Sequence, residues 1–122
     1  MAVYKFSLKA EEDISDIFEY SIETFGIAQA EKYYQALTEC LDRLVQFPNL
    51  GRDSTELHQG LKLFYFQSHS IYYSLDKHDL IIVRIISNHM DAARHVWLSL
   101  QLLHDLIQKR IHPSGVLLFA RM

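Results

Sequence analysis

The sequence has 122 residues, 49% hydrophobic and 22% charged, with a formal net charge of −3 and an isoelectric point near 6.1. That composition excludes a disordered chain, is enough for one core without staples, and gives no bulk attraction for nucleic acid. A single cysteine, Cys40, excludes an intrachain disulfide or a zinc ribbon, and no apolar run approaches the ~18 residues of a membrane span.

Ala2–Phe6 alternates modestly through Val3, Tyr4 and Phe6 and is too short for a helix, so a first strand is predicted. Ser7 is placed to cap the helix that follows. Glu11, Glu12 and Asp13 lie in or near its first turn, where negative charge suits the helix dipole. Ala10, Ile14, Ile17, Phe18, Ile22 and Phe25 recur at three- and four-residue steps and define one apolar face. Gly26 ends this helix, since glycine enters a left-handed conformation freely. A second helix follows through Ala30, Tyr33, Tyr34, Leu37, Cys40, Leu41, Leu44 and Val45, and Pro48 stops it. Two helices joined by one glycine predict an antiparallel hairpin, with Cys40 as core and the Tyr33–Tyr34 pair as core with polar tips.

Asn49–Gly60 reads as a loop. Beyond it Leu61–Phe66 alternates, with Leu61, Leu63 and Tyr65 on one face and Lys62, Phe64 and Phe66 on the other. His69–Leu75 sets Ile71, Tyr73 and Leu75 against Ser70, Tyr72 and Ser74, and Asp76–Asp79 supplies a turn. Leu80–Ile86 is a buried strand, rich in Ile and Val, interrupted by Arg84. An unpaired buried charge is costly, so Arg84 must reach solvent, a carboxylate or a partner. These three strands form a meander that the helical hairpin covers on one face: an α+β domain with a helical hairpin on a small antiparallel sheet. Asp91 is suited to cap a last helix, whose broad apolar stripe (Val96, Trp97, Leu100, Leu103, Ile107) ends near Pro113, leaving Val116–Ala120 as a short apolar end.

Several landmarks along this order resemble the RelE/ParE toxin superfamily. They are Ala28–Tyr34, Pro48 with Gly51–Arg52, Gly60–Leu61–Lys62, Ser68–His69 before Ile71–Tyr72–Tyr73, Val83–Arg84–Ile85, and Met90–Asp91 with Arg94–His95. Within the superfamily the pattern is similar to the ParE branch. The resemblance implies a plasmid-stabilisation-type, type II toxin that inhibits DNA gyrase without being an enzyme, uses no cofactor or metal, and is held inactive by a ParD-like antitoxin. The RelE branch offers an alternative, a ribosome-dependent mRNA endoribonuclease, for which His69, Arg84, His89 and Arg94 would be the catalytic set. A strand set poor in Lys and Arg fits that alternative badly. A second alternative is a non-toxic remnant that only binds antitoxin.

For partner binding the expected residues are Arg52, Lys62, Arg84, Met90, Asp91, Arg94 and His95, with the cations facing an acidic antitoxin tail. Three of them have a plainer reading: Arg52 as a helix-end cap, Arg84 in an internal salt bridge, Asp91 as a helix cap. The His residues show no metal-ligand spacing. The chain departs from the family where His89 stands two places beyond the usual His position, at Ser87. It departs again past His95, so residues 1–95 are expected to form the toxin domain and 96–122 an extension, whether packed, oligomerising or frameshift-derived. A homo-oligomer and a toxin–antitoxin hetero-oligomer are both compatible with this reading. With no signal peptide evident, a soluble cytoplasmic protein without direct nucleic-acid or membrane binding is expected.

Overall fold

In a computed structural model of the protein, residues 3–77, 79–87 and 117–119 are described, the last three as backbone only. Tyr4–Ser7 forms β1 and passes directly into α1, Leu8–Phe25. Ser7 makes the switch. Its backbone is extended, and its hydroxyl accepts from the N–H of Ala10 at 3.1 Å. The same hydroxyl donates to the carbonyl of Val83 at 2.8 Å, which ties the helix start to a distant strand. Ser7→Ala removes both bonds and should cost about 1–2 kcal/mol, read as a lower urea midpoint at unchanged m-value.

Gly26 separates α1 from α2, Ile27–Gln46. Its φ of 94° is positive as expected, but its ψ of 163° is extended rather than left-handed helical. That region is open almost only to glycine, and it turns the chain back within one residue. α2 ends one residue before Phe47, and Pro48–Leu50 forms a single 3-10 turn. The apolar faces are largely as the periodicity predicts, with two corrections. Phe25, at the outer end of the hairpin, and Tyr34 are exposed, while Ala10, Leu37, Cys40, Leu41 and Leu44 are buried.

The expected loop after Pro48 contains a two-residue strand, β2 (Arg52–Asp53), which alternation could not reveal at that length. β3 (Lys62–Phe66), β4 (His69–Asp76) and β5 (Asp79–Ser87) form the predicted meander. β6 is Leu117–Phe119. The sheet order is β2-β3-β4-β5-β1-β6, antiparallel throughout except where β1 runs parallel to β5. The two helices between β1 and β3 provide the long connection that a parallel neighbour requires. β6 belongs to the segment set apart as an extension, and it pairs with the sheet of residues 1–95. The extra helix expected after Asp91 lies outside the described residues.

A bulge interrupts β5. Tyr72 stands opposite Arg84 and Tyr73 opposite Ile82, so Val83 is an additional residue in the ladder. In an unbroken strand Ile82 and Ile85 would point to opposite faces. Here both enter the core beneath the helices, with Phe6, Ile71, Tyr73 and Leu80. Val83 and Ile86 turn to the other face, where they join Leu61, Leu63 and Tyr72.

Candidate partner-binding site

The bulge lies just past the end of β1, where β5 would otherwise lose its hydrogen-bonding neighbour. Two side chains from the β1–α1 segment replace the missing strand. The Ser7 hydroxyl takes the Val83 carbonyl, and an Asp13 carboxylate oxygen accepts from the Ile85 N–H at 3.0 Å. The same carboxylate receives the Arg84 guanidinium in a two-point grip, Nε at 2.7 Å and Nη2 at 2.9 Å. Arg84 is 5% exposed, so this pair is a buried one. Among the outcomes open to Arg84, a carboxylate partner is therefore one that the fold uses. Asp13, read from the sequence only as a first-turn charge, is its partner.

Next to this frame, at the start of β4, the Tyr33 hydroxyl and His69 Nδ1 are 2.6 Å apart, with the Phe66 ring 5.4 Å from that of Tyr33. Burial, reinforced by Cys40, pushes the Tyr33 phenol up to about 12, so it keeps its proton. Burial also pulls His69 below its ordinary 6.5, a shift that Asp13 partly opposes. Both rings are then neutral near pH 7, and the phenol can donate to an unprotonated Nδ1. The unfolded chain takes up the proton first, so the His69 contribution is complete above pH 6.5 and is lost as pH falls through the folded value. His69→Gln should flatten the acid slope of stability below pH 6.5, measured by urea unfolding at successively lower pH.

On the opposite face of the sheet, Arg52 stands opposite Leu63 and shares its side. The neighbouring Tyr65 raises its already high pKa. Burial raises the Tyr72 phenol, with Tyr65 adding to the effect and Arg52 opposing it. Arg52 and exposed Tyr65 thus lie at the edge of a second buried apolar cluster, formed by Leu61, Leu63, Tyr72, Val83 and Ile86. Lys62 lies across the strand from Asp53 and pairs with it at 2.8 Å, on the helix-facing side. The expected cationic trio is therefore dispersed: Arg52 on one face, Lys62 on the other, Arg84 inside. His89, Met90, Asp91, Arg94 and His95 lie outside the described residues.

Sequence reasoning missed three features: the Tyr33–His69 contact, the Asp13 grip and the tyrosine margin. Only the last had a partly readable signal, because Tyr65 falls on the same predicted face as Leu63, whereas the place of Tyr72 beside Leu63 depends on the register of β3 with β4. Both catalytic candidates of the ribonuclease alternative that are described have internal partners, Arg84 on Asp13 and His69 on Tyr33. No helix among the described residues is long and apolar enough to cross a membrane.

Comparison with known proteins bears on the whole arrangement. Residues 4–92 match the family described as "ParE toxin of type II toxin-antitoxin system, parDE". Toxin ParE1 of Caulobacter vibrioides is 27% identical over 96 residues, covering 79% of this chain and 99% of its own. Toxin ParE1 of Mycobacterium tuberculosis is 28% identical over 94 residues, covering 76% of this chain and 96% of its own. A solved structure of the "Chromosomal ParDE TA system from P. aeruginosa" shares the fold with a TM-score of 0.62 at 22% identity, covering 71% of this chain and 96% of that one. With the family match spanning β1 to the end of β5 and beyond, the chain belongs to the ParE toxins of type II toxin–antitoxin systems.

Proposed function

We propose that this toxin acts by inhibiting DNA gyrase through binding rather than by catalysis, and that a cognate ParD-like antitoxin neutralises it. The family match over residues 4–92 carries the reading. The likeness to a chain solved as part of a ParDE system supports an antitoxin of the ParD type. The internal engagement of Arg84 and His69 speaks against the ribonuclease alternative, which needs cations and a base free to meet a phosphate.

For antitoxin contact we assign Arg52 and Lys62, with Met90, Asp91, Arg94 and His95 as the further expected contacts and Arg84 as the residue that holds the strand end in place. Arg52 is the best placed of these, since it is exposed. Rim charges act mainly on association rate and its salt dependence. Arg52→Glu together with Lys62→Glu should weaken antitoxin binding about tenfold or more, and unchanged affinity would remove both from the interface.

The deciding experiment is a gyrase supercoiling assay with the purified chain, run beside translation on programmed ribosomes. Supercoiling should fall, translation should continue, and added antitoxin should restore supercoiling. Messenger cleavage with untouched gyrase would overturn the reading in favour of a ribonuclease. Silence in both assays would favour the antitoxin-binding remnant.

A further inference from the structure

β6 lies outside the part of the chain that matches the toxin family, which stops at residue 92, yet it is paired with that part's sheet. Lys5 stands opposite Phe119, Phe6 opposite Leu118 and Ser7 opposite Leu117, in antiparallel register. Without β6, the strand order would make β1 the outermost strand on that side. An uncovered edge presents N–H and C=O groups with which another extended peptide can pair. The groups concerned can be named. The Leu80 N–H donates to the Val3 carbonyl, and backbone direction alternates along a strand. Val3, Lys5 and Ser7 therefore face β5, while Tyr4 and Phe6 face outward. Phe6 and Leu118 are then the pair that exchanges both hydrogen bonds.

The two margins of the sheet are protected in different ways. On the far side β2 is only two residues long, and both are charged, with Asp53 paired to Lys62. Short charged edges resist strand addition. On the near side β1 is flanked by exposed Val3 and Leu8, and its one charge, Lys5, is paired with Asp79. β1 is longer than β2 and carries a single charge, so it discourages an added strand less.

We infer that the β1 edge is a strand-acceptor site for a short apolar extended segment, and that the chain fills it in cis with Leu117–Phe119, which shields the edge from addition by other chains. A tethered segment is present at an effective concentration on the order of millimolar. A free peptide at micromolar concentration therefore cannot displace it, but it can enter an edge left empty. This goes beyond gyrase inhibition, and its test reads neither gyrase nor antitoxin.

Leu118→Pro in the full chain removes the N–H that the Phe6 carbonyl accepts. Amide exchange at Phe6 should be slow in the parent chain and about tenfold or more faster in the variant, with Ile82 unchanged as the control for folding. A fluorescent peptide of residues 114–122 should bind the variant and leave the parent chain unlabelled. Equal Phe6 exchange in the two proteins, or equal peptide binding, would overturn the proposal. A second variant works even if proline disturbs the fold. Lys5→Cys with Phe119→Cys should form an intramolecular disulfide under mild oxidation, because their register makes them a close cross-strand pair. Failure of that disulfide to form would equally exclude the pairing.

Discussion

Asp13→Ala should be the most damaging single change in the molecule, lowering stability by about 3–5 kcal/mol. The carboxylate it removes accepts from Arg84 at two points and from the Ile85 N–H. The substitution takes a two-point counter-charge away from a guanidinium that is 5% exposed and leaves a backbone donor without its acceptor. The ion pair need not stabilise the fold relative to an apolar replacement, because both charges lose their hydration on burial. That distinction can be tested. Asp13→Leu combined with Arg84→Met should recover most of the loss in urea unfolding, whereas either change alone should not. A double variant as unstable as the worse single one would mean that the Ile85 hydrogen bond, and not the charge pair, dominates.

The second large effect is expected where Gly51 meets Tyr73. The Tyr73 hydroxyl donates to the Pro48 carbonyl at 2.7 Å and accepts from the Gly51 N–H at 2.9 Å, fastening the turn after α2 to the middle of β4. Burial raises the Tyr73 phenol, so it remains protonated and able to donate. A β-carbon on Gly51 would lie 2.5 Å from that hydroxyl and 2.9 Å from the Leu63 carbonyl. Its φ of −75° is ordinary, so the need for glycine here is one of space and not of backbone conformation. Gly51→Ala should cost about 2–4 kcal/mol through overpacking and displacement of the hydroxyl. Tyr73→Phe should cost about 1–3 kcal/mol, chiefly from the two backbone groups it leaves unpaired. Since Gly51→Ala acts partly by displacing the same hydroxyl, the two losses should not add in thermal or urea unfolding. Full additivity would show that the clash with Leu63 alone sets the cost.

Sequence and structure agree most closely where a residue's role depends on its neighbours along the chain. Ser7 as a cap, Gly26 as the break, Pro48 as a stop and the alternation in β3 and β4 all belong to this class. The candidate site was less legible. Arg84 was recognisable as a charge needing an answer, but three outcomes were open, and its acceptor lies 71 positions away. Arg52 and Lys62 look equivalent as cations at the two ends of one loop. Pairing of β2 with β3 puts them on opposite faces, because adjacent residues in a strand always diverge. The His69–Tyr33 contact joins a strand start to a helix interior 36 positions apart, and neither residue's local pattern signals it.

The amino-acid order by itself determined the helices, the meander and the family, because apolar periodicity, caps, breakers and motif order are local properties of a chain. Tertiary structure alone decided the rest. The bulge at Val83 turns Ile82 and Ile85 into one core, β1 inserts parallel to β5, Asp13 and Ser7 stand in for the strand that β1 no longer supplies, and Leu117–Phe119 closes its open edge. Each of these satisfies a backbone or charged group whose partner is distant in sequence. Such needs arise only once the sheet exists, since a buried N–H or guanidinium must be answered by whatever the fold brings near it.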